Sequence, residues 1–402
     1  MDNLSIAREY ANDVIINKIK SCRYLKLAAK RFISDLKNLQ YYYNDVEVDT
    51  IVLFINQFNL TEDSHDKKFI LQPWQTFIIC NLYGLYNKET NTKKYNQIYI
   101  ELARKQGKSQ LITILALYHL IFDNDSQVII SANSREQAKN VDFKKVKQFA
   151  NQIDNEQRFL TQYFNKIICG TNELIVTASD AKRLDGLNAS FVLIDEFHEA
   201  KSNELYNVLK SSQGSREDAM FFVITTAGFN TDSFCYSLRT YCTDLLNGTK
   251  SDEQQFAVIY TLDEGDDYTN KDNWVKANPN INVSLKEGWL SGEVNKSINN
   301  SVERNGVLVK NFNIWMKSNS LDVWIEDKYF DQSMSDIKLS DFKGCEVICG
   351  VDLSSVSDIS AVSYLIQSDD KIYYFNNYYI CEDSMSSNIN REIYKNAASN
   401  GY

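Results

Sequence analysis

The sequence predicts an α/β protein built on a mostly parallel sheet. Three observations carry this. Short apolar, β-rich runs alternate with helical stretches from Tyr95 to about Leu262; one run, in "YIELARKQGKSQLITI" (99–114), feeds a Gly-Lys-Ser and an apolar helix; another, in "SFVLIDEFHEA" (190–200), ends in two acids. Successive strand–helix–strand units close into a parallel sheet through right-handed crossovers.

Residues 1–60 read as helices, with "YLKLAAKRFISDLKNL" the clearest amphipathic stretch, and "LQPWQTF" (71–77) precedes the first strand. The expected strands are 95–101, 126–133, 173–179, 191–196, 219–227 and 256–262, with helices after the first, second, fourth and fifth. After "TLDEGDDYTNKDNWVKANPN" the pattern turns helical to about 320, with aromatic residues at Phe312, Trp315 and Trp324. A second β-rich segment has strands near 346–353, 359–366 and 371–380, and a helix-like tail runs to Gly401-Tyr402. The expected organisation is a helical N-terminal region (1–70), a core (71–262), a helical lid or linker (263–330) and a second domain (331–402), with the boundary between 325 and 340.

The phosphate-binding pattern G-x-x-x-x-G-K-[ST] holds at Gly107, Lys108 and Ser109 and fails at Leu102, where its first glycine belongs. The chemistry requires backbone N–H groups facing the phosphates, a lysine for the β/γ oxygens and a hydroxyl for Mg²⁺ at a helix start. On its own the tripeptide also fits an ordinary loop. The second run supplies a Walker B form, in which Asp195 holds Mg²⁺ through water and Glu196 orients or deprotonates the attacking water. A third strand, "FFVITTAG", ends in Thr225, Thr226 and Gly228, hydroxyl and small residues that fit a γ-phosphate sensor or a plain Thr/Gly turn. The three in this order imply an ATPase.

With 402 residues, 44% hydrophobic and 24% charged, the chain is large enough for two or three domains, and only two prolines and 14 glycines argue against linkers and low-complexity tracts. No run approaches a membrane span and the N-terminus lacks a signal peptide's features, so no membrane role and a cytoplasmic location are expected. Eight cysteines without a C-x-x-C pair or a histidine cluster read as reduced core residues, including Cys345 and Cys349 in an apolar run. A net charge of −10 argues against general nucleic-acid affinity, yet a motor needs only a local basic stripe, for which "KKVKQ" (144–148) is a candidate beside its reading as a solvated helix face.

These residues resemble the large terminase subunits of tailed bacteriophages, the motors that package viral DNA. The resemblance spans nearly the whole chain: "LQPWQTF", "ARKQGKS", "RLDGLNASFVLIDEFHEA", "ITTAG", "WVKANPNI", "NFNIWMKS" and "GVDLSSVSDISAV". It implies a P-loop ATPase followed by an RNase H-like α/β nuclease, and it tolerates loss of the first loop glycine. Gln75 would contact adenine with Trp74 beside it, Arg104 would reach the γ-phosphate, Gly107, Lys108 and Ser109 would bind ATP and Mg²⁺, and Thr225, Thr226 and Gly228 would form the coupling motif. An arginine finger from a neighbouring subunit is expected, with Arg135 the first candidate and Arg183 and Arg216 after it. In the nuclease, Asp352 and Asp358 would hold Mg²⁺ or Mn²⁺ for two-metal cleavage; the family's remaining acids lie on later strands, so this domain reads as incomplete and the chain as C-terminally truncated. The implied partners are double-stranded DNA, the portal protein and the small terminase subunit. The implied assembly is a homo-oligomeric ring, five-membered when docked at the procapsid portal in the host cytoplasm and absent from the mature virion. Two alternatives stay open: a D-E-x-H nucleic-acid helicase, spelled by Asp195 to His198, and a non-catalytic truncated packaging partner.

Overall fold

The computed structural model describes residues 2–60, 67–132, 143–178, 186–298, 300–317, 332–353, 359–368 and 370–381. Arg135, Arg183, Trp324, Asp358 and the expected C-terminal helix lie outside them. The chain folds as two compact units, Met1–Val323 and Trp324–Tyr402.

In the first unit, helices α1 (Asn3–Ile15), α2 (Arg23–Asp35) and α3 (Asp45–Ile55) lead to α4 (Pro73–Gly84). Side-chain caps start two of them: Asp2 accepts from the Ser5 N–H at 2.7 Å and Asn44 from the Glu47 N–H at 3.1 Å. Helix α4 carries proline at its first turn, where the lost N–H has no helical partner in any case. The short strands β1 (Tyr41–Tyr43) and β2 (Leu85–Asn87) pair antiparallel beside it.

The main sheet uses β3 (Gln97–Glu101), β4 (Gln127–Ala132), β5 (Thr161–Gln162), β6 (Lys166–Cys169), β7 (Asn172–Ala178), β8 (Phe191–Asp195), β9 (Met220–Thr225) and β10 (Gln255–Ile259). Its order is β10-β3-β9-β8-β4-β7-β6-β5, parallel from β10 to β7 and antiparallel at the β7-β6-β5 edge. The six parallel strands match the six expected runs to within two residues at most ends. The edge pair β5 and β6 had no sequence signal, because two and four residues are too few to show alternation.

Helices cover both faces of the parallel strands, as burial of such a sheet demands. Alternation along β8 sends Phe191 and Leu193 into one core and Val192 and Ile194 into the other. The first core is filled by α1, α3, α4, α5 (Lys108–Phe122) and α6 (Lys144–Ile153), the second by α7 (Glu204–Ser211) and α8 (Phe234–Leu246). Each fully buried leucine, isoleucine or phenylalanine contributes about 2 kcal/mol by leaving water. A third core, with Trp274, Leu290, Val307 and Phe312, holds together α9 (Lys271–Ala277), α10 (Glu287–Ile298) and α11 (Ser301–Phe312).

The second unit contains the antiparallel sheet β11 (Ile348–Asp352), β12 (Ser360–Ser368) and β13 (Lys371–Tyr379), with Phe342 packed on Tyr373. This corrects the cysteine reading. Cys22, Cys80, Cys235 and Cys242 are buried and Cys169 is half-buried, whereas Cys345, Cys349 and Cys381 are exposed. Cys349 lies on an edge strand whose residues are all exposed, so an apolar run there fills no interior.

Candidate nucleotide-binding site

The loop between β3 and α5 begins with Leu102, whose N–H continues the sheet to the Thr225 carbonyl at 3.2 Å and whose side chain is fully buried. The left-handed residues lie further on, at Lys105 (φ 63°) and Gly107 (φ 77°). A glycine's freedom is therefore used at 107 and not at 102, which is why leucine fits there. Lys108 opens α5 and is buried; Arg104 and Lys105 are exposed.

At the same sheet edge β8 delivers Asp195 and Glu196. Between β3 and β8 lies β9, so Thr225 and Thr226 stand between the loop and the two acids. Asp195 is 3% exposed and is hydrogen-bonded by the Ser109 hydroxyl. Its carboxyl is pushed up to about 6, first by burial and then by the Glu196 charge. Burial also acts to raise Glu196, but the Lys108 and Arg104 cations, with the His198 ring beside them, outweigh it and hold that carboxyl below its usual range. The Lys108 Nζ lies 3.5 Å from Glu196 Oε1. Glu196 is left-handed (φ 50°), a strained conformation for a side-chain-bearing residue. Ser109 and Asp195 offer hard oxygen donors that fit a divalent cation, whose charge would also relieve the crowding of Asp195 against Glu196.

His198 entered the sequence reading only as the last residue of the D-E-x-H alternative and not as a residue of this site. Its N–H donates to Thr225 Oγ1 at 2.9 Å, and its Nδ1 lies 3.3 Å from Glu196 Oε2 and 3.4 Å from Thr226 Oγ1. Burial lowers its imidazole to about 4, so the ring is neutral at pH 7. Glu101, at the end of β3, was also missed. It is fully buried and receives Asn313 Nδ2 (3.2 Å), Trp315 Nε1 (3.0 Å), Arg239 Nε (3.2 Å) and the Tyr99 hydroxyl. Asn313 also accepts from the Ala227 N–H at 2.6 Å, and the Met316 N–H donates to the Gly228 carbonyl at 3.2 Å. The "NFNIWMKS" segment thus touches the Thr225–Gly228 turn directly.

Gln75 Oε1 accepts from the Gln72 N–H at 2.9 Å, closing the first turn of α4, while its Nε2 approaches to 4.0 Å the point where a Cβ at Gly107 would stand. Beside it a cavity of about 170 Å³ is lined by Tyr10, Gln72, Pro73, Trp74, Tyr260 and Pro279. Lys145, on the helix carrying "KKVKQ", is near enough to act on Asp195, and Lys144 is exposed. Arg216 commits its guanidinium to the Asp125 carbonyl (2.7 Å) and Asn188 Oδ1 (3.0 Å), ahead of β4 and β8 and so at the opposite edge from the phosphate loop. Arg135 and Arg183 lie outside the described residues. Asp352 ends β11 exposed, and Asp358 lies outside the described residues. Among the described residues no group of three or more histidine, cysteine, aspartate or glutamate side chains is gathered to hold a metal.

The parallel sheet, the loop entering α5 and the acids at its carboxyl edge define a P-loop nucleotide-binding α/β protein. Two family models match the chain in succession: the terminase large subunit ATPase domain over residues 73–244 and the terminase large subunit endonuclease domain over 249–400. The chain belongs to the terminase large subunit family. It is 24% identical over 384 residues to the terminase large subunit of Lactococcus phage SK1, covering 90% of this chain and 67% of that one. It is 32% identical over 208 residues to protein YmfN of Escherichia coli K12, covering 50% of this chain and 44% of that protein. The crystal structure of the HK97 bacteriophage large terminase superposes with a TM-score of 0.56 at 20% identity, covering 85% of this chain and 69% of the other, and shares the fold. The chain thus spans from under half to about two thirds of the length of these curated relatives. Both matched domains favour this family over the D-E-x-H helicase reading.

Proposed function

We propose that this chain is an ATP-driven motor that translocates double-stranded viral DNA into the procapsid. One observation carries the reading: the strand order brings Lys108 and Ser109, Asp195 and Glu196, and Thr225 and Thr226 to a single sheet edge. Lys108 and the N–H groups of the loop take the phosphates at the start of α5, Arg104 reaches the γ-phosphate, and Gln75 and Trp74 lie toward the base. Ser109 and Asp195 would hold Mg²⁺, which would supply neutralising charge to the phosphates. Glu196, ionised, orients the attacking water and takes its proton. Thr225, Thr226 and Gly228 respond to the γ-phosphate and pass its loss to the segment around Asn313 and Trp315.

The remaining parts of the reading rest on family membership. The partners are DNA, the portal protein and the small subunit, in a ring of five at the portal in the host cytoplasm, with Arg135 as the finger from a neighbour. Asp352 and Asp358 would hold Mg²⁺ or Mn²⁺ in the nuclease domain. The discriminating experiment compares wild type with Glu196→Gln. The variant should bind MgATP within about threefold of wild type and turn it over about 10²-fold more slowly or less. Undiminished turnover would remove Glu196 from the chemistry.

A further inference from the structure

The "WVKANPNI" segment has no part in the chemistry above, yet its asparagines reach the phosphate loop. Gln106, fully buried, is held at both ends of its amide: Oε1 accepts from the Asn280 N–H at 2.9 Å, and Nε2 donates to Asn278 Oδ1 at 2.9 Å and to the Arg104 carbonyl at 3.1 Å. Asn280 Nδ2 donates to the Gln106 carbonyl at 3.0 Å, while its Oδ1 accepts from the Trp74 indole at 2.8 Å. The Ser284 hydroxyl donates to the Lys105 carbonyl at 2.6 Å, and the Arg104 N–H donates to the Lys310 carbonyl at 3.0 Å. Asn278 is itself anchored by donating to the Trp274 and Asn311 carbonyls at 3.1 and 2.9 Å.

A phosphate loop works by turning N–H groups toward the anion, which leaves its carbonyls facing away and in need of donors. Here the carbonyls of Arg104, Lys105 and Gln106 each receive a side-chain donor, from Gln106, Ser284 and Asn280. The loop also holds a non-glycine residue, Lys105, in the left-handed region, a conformation that persists only where surrounding bonds enforce it.

We infer that Asn278 and Asn280, assisted by Ser284, are positioning residues for nucleotide binding, which hold loop 104–107 in its anion-binding shape from outside the loop. This rests on the reading of the loop as the nucleotide site. The three act through Gln106 and the loop backbone.

The test measures MgADP affinity and ATP kinetics for wild type, Asn280→Ala and Ser284→Ala. Asn280→Ala should weaken MgADP binding about tenfold and raise KM for ATP to match, with kcat falling by less than KM rises. Ser284→Ala, at an exposed position, should shift both in the same direction by about threefold, and it decides the matter if Asn280→Ala does not fold. In both, the rise in melting temperature on adding MgADP should shrink. Folded variants with wild-type affinity and KM, differing only in unliganded melting temperature, would reduce these residues to a structural role and overturn the inference. Failure of wild type itself to bind MgADP would overturn the nucleotide-site reading first, and this inference with it.

Discussion

Glu196 sits in a left-handed conformation, half-buried beside Asp195, with Lys108 and His198 on either side of its carboxylate. Such strain is found where the surroundings over-determine a residue, and here they do so through Thr225, whose hydroxyl receives the His198 N–H. Gly228 closes this cluster. A Cβ there would stand 3.2 Å from both the His198 Cβ and the Trp315 ring. Gly228→Ala should therefore destabilise the protein by about 1–3 kcal/mol in urea titrations, as overpacking does, and lower ATP turnover through the displaced His198. Lys108, Asp195 and Glu196 were legible because each belongs to a short contiguous pattern. Glu101 was not, since its partners Arg239, Asn313 and Trp315 are more than a hundred positions away and only the fold assembles them. The role of Leu102 was half legible: the missing glycine was plain, but its reason, left-handed positions that fall at Lys105 and Gly107 instead, needed the backbone.

Among elements, the six parallel strands were readable because five are runs of β-formers largely buried on both faces and β7 alternates buried with half-buried residues, while β5 and β6 are shorter than any detectable period. The connection from α5 into β4 is secured by a residue on β7. Asn172, nearly buried, accepts from the Ser126 N–H at 2.8 Å and donates to the Leu120 and Asp123 carbonyls at 2.9 and 2.7 Å. Asn172→Ala would leave these backbone groups without their partner in the interior and should cost about 3 kcal/mol, read as a lower urea midpoint. The asparagines of "WVKANPNI" and "NFNIWMKS" belong to the same class. Their motifs were visible in the sequence, but not their targets, the phosphate loop and the Thr225–Gly228 turn.

At the scale of the molecule, a net charge of −10 requires that any DNA contact come from local basic surface such as that around Lys144. Stimulation of ATP turnover by duplex DNA should accordingly fade between about 50 and 200 mM salt, as phosphate contacts are screened, while turnover without DNA changes little. The second unit contributes its sheet and the exposed Asp352, and its three strands were legible where their burial was not. The decisive experiment is steady-state Mg²⁺-dependent ATP hydrolysis by the purified chain, with and without duplex DNA, beside Lys108→Ala. Turnover that rises with DNA and vanishes in the variant is the predicted result; hydrolysis that survives Lys108→Ala, or wild-type protein that neither binds nor hydrolyses ATP, would contradict it.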